Sequence, residues 1–139
     1  DYISRINFPI RDISGKIVAF QGRHTAGGEP KYKFTPPGAK LPLFPQVSPR
    51  LGEIILVEGI YDVINLHDKG LENAMCCFGT NNINEDKLRM LQMQGISRVA
   101  IFPNRVIVVI IVTKTNIRII VCITHIANVT HIFLAEGNQ

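Results

Sequence analysis

Glu58 and Asp62, four residues apart in Leu56-Val57-Glu58-Gly59-Ile60-Tyr61-Asp62-Val63, are the acidic pair best spaced for chemistry. Residues 54–57 are a short apolar run, as expected of a strand covered on both faces. A carboxylate at the carboxyl end of such a strand sits where open α/β sheets bind ligands. Gly59 would let backbone approach closely at the strand–helix turn, and Asp62, near the first turn of the following helix, would point back to the same mouth. Two carboxylates there could hold a divalent cation or serve as acid and base. The same pair would equally complement a helix dipole, so the string alone does not decide.

The second group is basic. Lys31, Lys33 and Lys40 belong to one stretch in which Tyr32 and Phe34 are interleaved. Cations for phosphates with an aromatic for base stacking suit a single-stranded nucleic acid, although a strand with one buried face would read the same way. His24, His67, His125 and His131 have no cooperating partner at a recognisable spacing and read as structural or exposed. Met75, Met90 and Met93 read as packing residues. Cys76, Cys77 and Cys122 are odd in number, and adjacent strand residues point to opposite faces, so Cys76 and Cys77 are poor disulfide partners. Buried, reduced thiols are expected, and no Cys or His spacing suits zinc.

The elements that must position these groups change character along the chain. Residues 6–10, 17–23 and 31–34 read as antiparallel strands, joined through Asp12-Ile13-Ser14-Gly15 and through Gly27-Gly28. Proline density makes residues 36–50 a linker or surface loop, and the domain boundary is placed there. Beyond it, residues 54–57, 74–78 and 99–102 read as strands. Between the first two lies an amphipathic helix carrying Ile60, Val63, Ile64, His67 and Leu71 on one face and closed by Gly70. Between the last two lies a helix capped by Asn84, with Glu85 and Asp86 in its first turn and Leu88 and Leu91 on one face. Such alternation implies a parallel sheet in an α/β domain. For residues 106–112 and 117–123, β-branched density favours strands while topology asks for a helix; both expectations stay open. Residues 130–135 read as a final strand.

The chain has 139 residues, of which 46% are hydrophobic and 19% charged, with a net charge of +4. This excludes a disordered tail, a collagenous repeat and a disulfide scaffold. The longest apolar run, residues 106–112, is far short of the roughly 18–20 residues that span a bilayer. The positive balance permits nucleic acid as a partner. Absence of Met or a signal-peptide pattern at Asp1 reads as a fragment of something longer. Only Lys114, Arg118 and Glu136 carry charge beyond residue 105, and the last Asp is Asp86.

The strings "RINFPIRDISGKIVAFQGR", "PKYKFTPP", "ILVEGIYDVINLHDKGLENAMCCFGT" and "VAIF" occur in this order, and "THIFLAEGNQ" follows later. Together they resemble the catalytic core of bacterial and phage DnaG-type DNA primases. The resemblance implies a small β-rich subdomain with a Pro-rich linker over residues 1–50. It implies a Toprim domain, a parallel sheet flanked by helices, over residues 51–139. It further implies RNA primer synthesis on single-stranded DNA from ribonucleoside triphosphates with Mg²⁺ or Mn²⁺, in the cytoplasm and without a membrane. A replicative helicase would be engaged through regions outside this chain. Glu58 matches the family's catalytic glutamate and a metal ligand, and Asp62 matches the acid that follows it. Arg5, Arg23, Lys31, Tyr32, Lys33, Gly59, Gly79 and Thr80 fall at positions that face nucleic acid or nucleotide.

The resemblance breaks after residue 102. The family's Asp-x-Asp pair would fall at Pro103 and Arg105, neither of which binds a cation as a carboxylate does. A further acidic pair expected after "AEG" would lie at or beyond Gln139. Three readings follow: a catalytically impaired Toprim module that still binds nucleic acid, an active polymerase with other metal ligands, or an aberrant reading of the segment. Other Toprim chemistry, nuclease or topoisomerase-like, is the further alternative.

Overall fold

The computed structural model describes residues 3–48, 52–101, 106–112, 117–123 and 132–135. The chain divides into two compact units, Asp1–Gln46 and Val47–Gln139.

In the first unit, β1 (Arg5–Arg11), β2 (Ile17–His24) and β3 (Tyr32–Thr35) form an antiparallel sheet in the order β1-β2-β3. Strand alternation puts Ile6, Phe8 and Ile10 on one face, opposite Arg23, Gln21 and Ala19. Ile10 and Ala19 are buried, and the register shifts between Ile10 and Arg11, where the hairpin begins to close. Asp12 builds that turn: its Oδ1 accepts the backbone N–H of Ser14 at 2.9 Å and of Lys16 at 3.0 Å. The Ser14 hydroxyl adds a bond at 2.6 Å, and these bonds hold the Asp12 carboxyl below its ordinary range, the hydroxyl foremost. Gly15 supplies the left-handed backbone, with φ +83°. Residues 36–43 contribute no helix or strand.

The second unit begins with β4 (Glu53–Val57), α1 (Ile60–Asp68) and β5 (Ala74–Cys76). A 3₁₀ turn (Thr80–Asn82), α2 (Glu85–Met93) and β6 (Arg98–Ile101) follow. Then come β7 (Val106–Val112), β8 (Ile117–Ile123) and β9 (Ile132–Ala135). The sheet order is β5-β4-β6-β7-β8-β9. Strand β4 pairs in parallel with both β5 and β6, with α1 and α2 in the two crossovers. Its apolar run is the centre of the core: Ile54 and Leu56 are fully buried, as are Met75, Cys76 and Val99 beside them.

Residues 106–112 and 117–123, open between helix and strand in the sequence, are the antiparallel strands β7 and β8, which extend the parallel β5-β4-β6 set into a mixed sheet. Their β-branched side chains favour the pleated surface, and that preference prevails over the alternation that precedes it. On α1, Ile60 and Val63 are buried but Ile64 is 46% exposed, and Leu71, expected on the same helix face, lies beyond the helix end and is 36% exposed. Helix α1 packs against β5, the edge strand, which offers it a narrow surface to cover.

Helix α2 forms as its sequence predicts. The Asn84 side chain accepts the N–H of Lys87 at 3.0 Å, and Leu88 and Leu91 are buried. Cys76 and Cys77 are free, buried thiols. Burial, foremost, pushes the Cys76 thiol up to about 12. His67 is structural, its Nε2 lying 2.9 Å from the Ala74 carbonyl oxygen.

Candidate nucleic-acid interface and carboxylate site

The first unit gathers cations around one aromatic ring at an end of its sheet. Arg23 and Tyr32 are cross-strand partners, so both stand on the same face. The Arg23 guanidinium carbon lies 5.8 Å from the Tyr32 ring centroid. The Lys31 Nζ lies 5.6 Å from the same centroid. Both distances are within reach of a cation–π attraction, and the ring remains 41% exposed. Arg5 braces this end from β1, its Nη1 donating to the Gly22 carbonyl at 3.3 Å and the Lys31 carbonyl at 3.5 Å. Its guanidinium thus ties β1 to the residue just before β3.

Lys33 is not brought into this group. It follows Tyr32 on β3, pairs with Gly22, and therefore stands on the opposite face. Phe34, partner of Gln21, returns to the face of Tyr32.

The loop that carries Lys31 is shaped by His24. The His24 Nδ1 accepts the backbone N–H of Ala26 at 3.1 Å and of Gly28 at 3.0 Å. Gly27 has φ +71°, and a Cβ added at Gly28 would collide with the His24 ring. The His24 backbone N–H donates to the Lys31 carbonyl at 3.0 Å, closing the loop.

In the second unit, Glu58 directly follows β4 and is exposed. Gly59 caps α1 with an extended backbone, φ −127°, and no side-chain cap. A Cβ at Gly59 would meet only the Asp62 Oδ2, at 3.6 Å, an ordinary contact. Neither its backbone conformation nor its neighbours within the chain require glycine. The same distance places the exposed Asp62 carboxylate back over the β4–α1 junction, beside the residue that follows Glu58.

Gly79 lies in the loop after β5 with φ +111°, behind Phe78 at φ +57°. A positive φ is costly for Phe, so the surroundings must hold this loop. They do so through residues that sequence reasoning missed. The Asn82 Nδ2 donates to the Cys77 carbonyl at 2.9 Å. The Lys87 ammonium donates to the Asn82 carbonyl at 2.7 Å and to its Oδ1. Burial lowers the pKa of Lys87. The Cys77 thiol is raised by burial first, with Glu58 raising it further and Lys87 lowering it. Thr80 opens the 3₁₀ turn in the same loop.

Glu58 and Asp62 are two acidic side chains, and no group of three His, Cys, Asp or Glu residues gathers among the described residues. Pro103 and Arg105, where the resemblance expects aspartates, lie outside the described residues. No helix among the described residues is long and apolar enough to cross a membrane.

A small antiparallel sheet and a mixed sheet with two parallel crossovers through α1 and α2 make up the described fold, and this is the fold of primase catalytic cores. Residues 1–40 match the family model described as DNA primase catalytic core, N-terminal domain. A DNA primase of Pseudomonas putida is 37% identical over 101 residues, covering 64% of this chain and 15% of that protein. Among solved structures, the Aquifex aeolicus primase (zinc-binding and RNA polymerase domains) matches with TM-score 0.58 and 24% identity. That match covers 73% of this chain and 27% of that one. A DnaG primase catalytic domain bound to ssDNA matches with TM-score 0.54 and 23% identity, over 70% of this chain and 34% of that one. At these identities the structural matches establish the fold. The chain is related to the catalytic cores of DnaG-type DNA primases and spans 15% of the length of the Pseudomonas putida relative it matches.

Proposed function

We propose that the chain is a segment of a primase core in which the first unit contacts single-stranded DNA template. In this reading Arg23, Lys31 and Tyr32 form the contact, braced by Arg5. The observation that carries it is the exposed Tyr32 ring with two cations within 6 Å of its centroid. A ring supplies a stacking surface to any base, and cations beside it meet the phosphates. The related catalytic domain bound to ssDNA supports the same reading.

The second unit, read as a Toprim domain, carries Glu58 as the carboxylate of ribonucleotidyl transfer. Asp62 stands beside it at the β4–α1 junction, and the Gly79-Thr80 loop faces the incoming nucleotide. Mg²⁺ or Mn²⁺ belongs to this reading through the resemblance, with Glu58 and Asp62 as the residues of this chain that would contribute oxygens. Pro103 and Arg105, standing where the family keeps aspartates, favour a second reading: a module that binds nucleic acid with impaired catalysis.

A primer-synthesis assay on a single-stranded template with ribonucleoside triphosphates and Mg²⁺ or Mn²⁺ separates the two. Product that disappears in Glu58→Gln supports the enzyme. No product despite measurable DNA binding supports the impaired module. Nicking of supercoiled DNA without ribonucleotides would replace both with other Toprim chemistry.

A further inference from the structure

The two turns of the first unit are built on one pattern. In the β1–β2 turn, the Asp12 Oδ1 accepts the N–H groups two and four residues on, at Ser14 and Lys16. In the β2–β3 loop, the His24 Nδ1 accepts the N–H groups two and four residues on, at Ala26 and Gly28. The Nδ1 of His and the Oδ1 of Asp or Asn stand the same number of bonds from the backbone, so the geometries correspond. The chemistry differs. Asp12 stays an acceptor into acid, because its turn bonds hold its carboxyl below the ordinary range. Imidazoles as a class change charge between pH 5 and 8, and a protonated Nδ1 is a donor. Two backbone N–H groups would then face a third N–H.

We propose that His24 is a proton-sensitive clamp whose neutral, Nε2-protonated tautomer holds the 25–30 loop and thereby positions Lys31 and Tyr32. Protonation exchanges two accepted hydrogen bonds for donor–donor repulsion and releases the loop. The loop runs directly into Lys31, whose carbonyl accepts the His24 backbone N–H and the Arg5 Nη1, so the clamp acts on Lys31 and Tyr32 through the 25–30 segment that leads to them. The charged groups around His24 are Arg5, its cross-strand partner on β1, and Arg23, its neighbour on β2. On the β3 side stand Lys31 and Glu29, whose Oε2 accepts the Lys31 N–H at 3.1 Å. Glycine at position 28 fits the clamp, since a Cβ there would displace the ring. The device rests on the proposed single-strand surface only for its consequence; the clamp itself is a property of the free protein.

The test is a pH titration of the whole chain by NMR, following the His24 ring, the Ala26 and Gly28 amides and the Tyr32 ring. The proposal expects all four to move with one midpoint, and protection of both amides to fall about tenfold in acid. His24→Asn keeps an uncharged acceptor at the same position, so its two amides stay protected from pH 8 to pH 5. Gly28→Ala loses the protection at every pH. Amides that ignore the His24 midpoint, or His24→Asn amides that titrate as in the parent, overturn the clamp. Oligo(dT) affinity then reads the consequence: a loss in acid for the parent, reduced in His24→Asn. If Tyr32→Ala leaves DNA affinity unchanged, the surface reading fails and the NMR result alone judges the clamp.

Discussion

Tyr32→Ala tests the physical basis of the proposed DNA contact. The ring is 41% exposed and stands between Arg23 and Lys31, so its removal leaves no buried cavity and costs little stability. What disappears is one stacking platform, worth about 1–3 kcal/mol per base, or roughly a 5- to 150-fold loss of affinity. No charge is removed, so the dependence of log affinity on log salt keeps its slope. Tyr32→Phe preserves the ring and should bind as the parent does. Arg23→Ala and Lys31→Ala should behave differently, each lowering affinity and making the single-strand salt slope shallower by about 0.7. Fluorescence anisotropy with a labelled oligonucleotide, titrated at several salt concentrations, reads both quantities. An unchanged affinity for Tyr32→Ala refutes the stacking argument. A change in its salt slope equal to that of Lys31→Ala would mean that the ring matters only through its cations.

Further outcomes follow from the second unit and the first turn. Leu56→Ala, at a fully buried site on the central strand, should lose about 2–5 kcal/mol of stability in urea unfolding. Asn84→Ala removes the acceptor for the Lys87 N–H and should cost about 1 kcal/mol by the same measurement. Cys76, buried and pushed up to about 12, should resist thiol reagents at pH 8 in the folded chain and react after unfolding, read by peptide mapping. The carboxyl of Asp12 is depressed, so its contribution is present above the unfolded carboxylate range and is lost as pH falls through the lower, folded value. Asp12→Ala should flatten that acid limb of the stability profile without changing stability's trend near neutrality.

The parts of the fold that could be read from the sequence are those where local chemistry and packing agree. The apolar runs at 54–57, 74–76 and 99–101 became parallel strands because each is covered by neighbours that the same pattern predicts. Asn84 with Glu85 and Asp86 announced α2 because a cap and its charges act within one turn. Residues 106–123 could not be settled in advance, since β-branched propensity and chain alternation pulled in opposite directions. The face of Lys33 required the register of β3 against β2, which follows from pairing rather than composition. The Lys87–Asn82–Cys77 network was invisible for a related reason: its members are five residues apart and span a strand end, a 3₁₀ turn and a helix start. No single periodicity joins them. His24 lacked a partner at any recognised spacing because its partners are backbone N–H groups, which sequence patterns of side chains do not reveal.

Photocrosslinking tests the template contact most directly. An oligo(dT) carrying 5-iodouracil is bound to the chain, irradiated, and the modified residue is mapped by mass spectrometry. Crosslinking at Tyr32, competed by unlabelled single strands and abolished in Tyr32→Ala, is the predicted result. Crosslinks confined to the second unit, or binding with no adduct in residues 23–34, would contradict it.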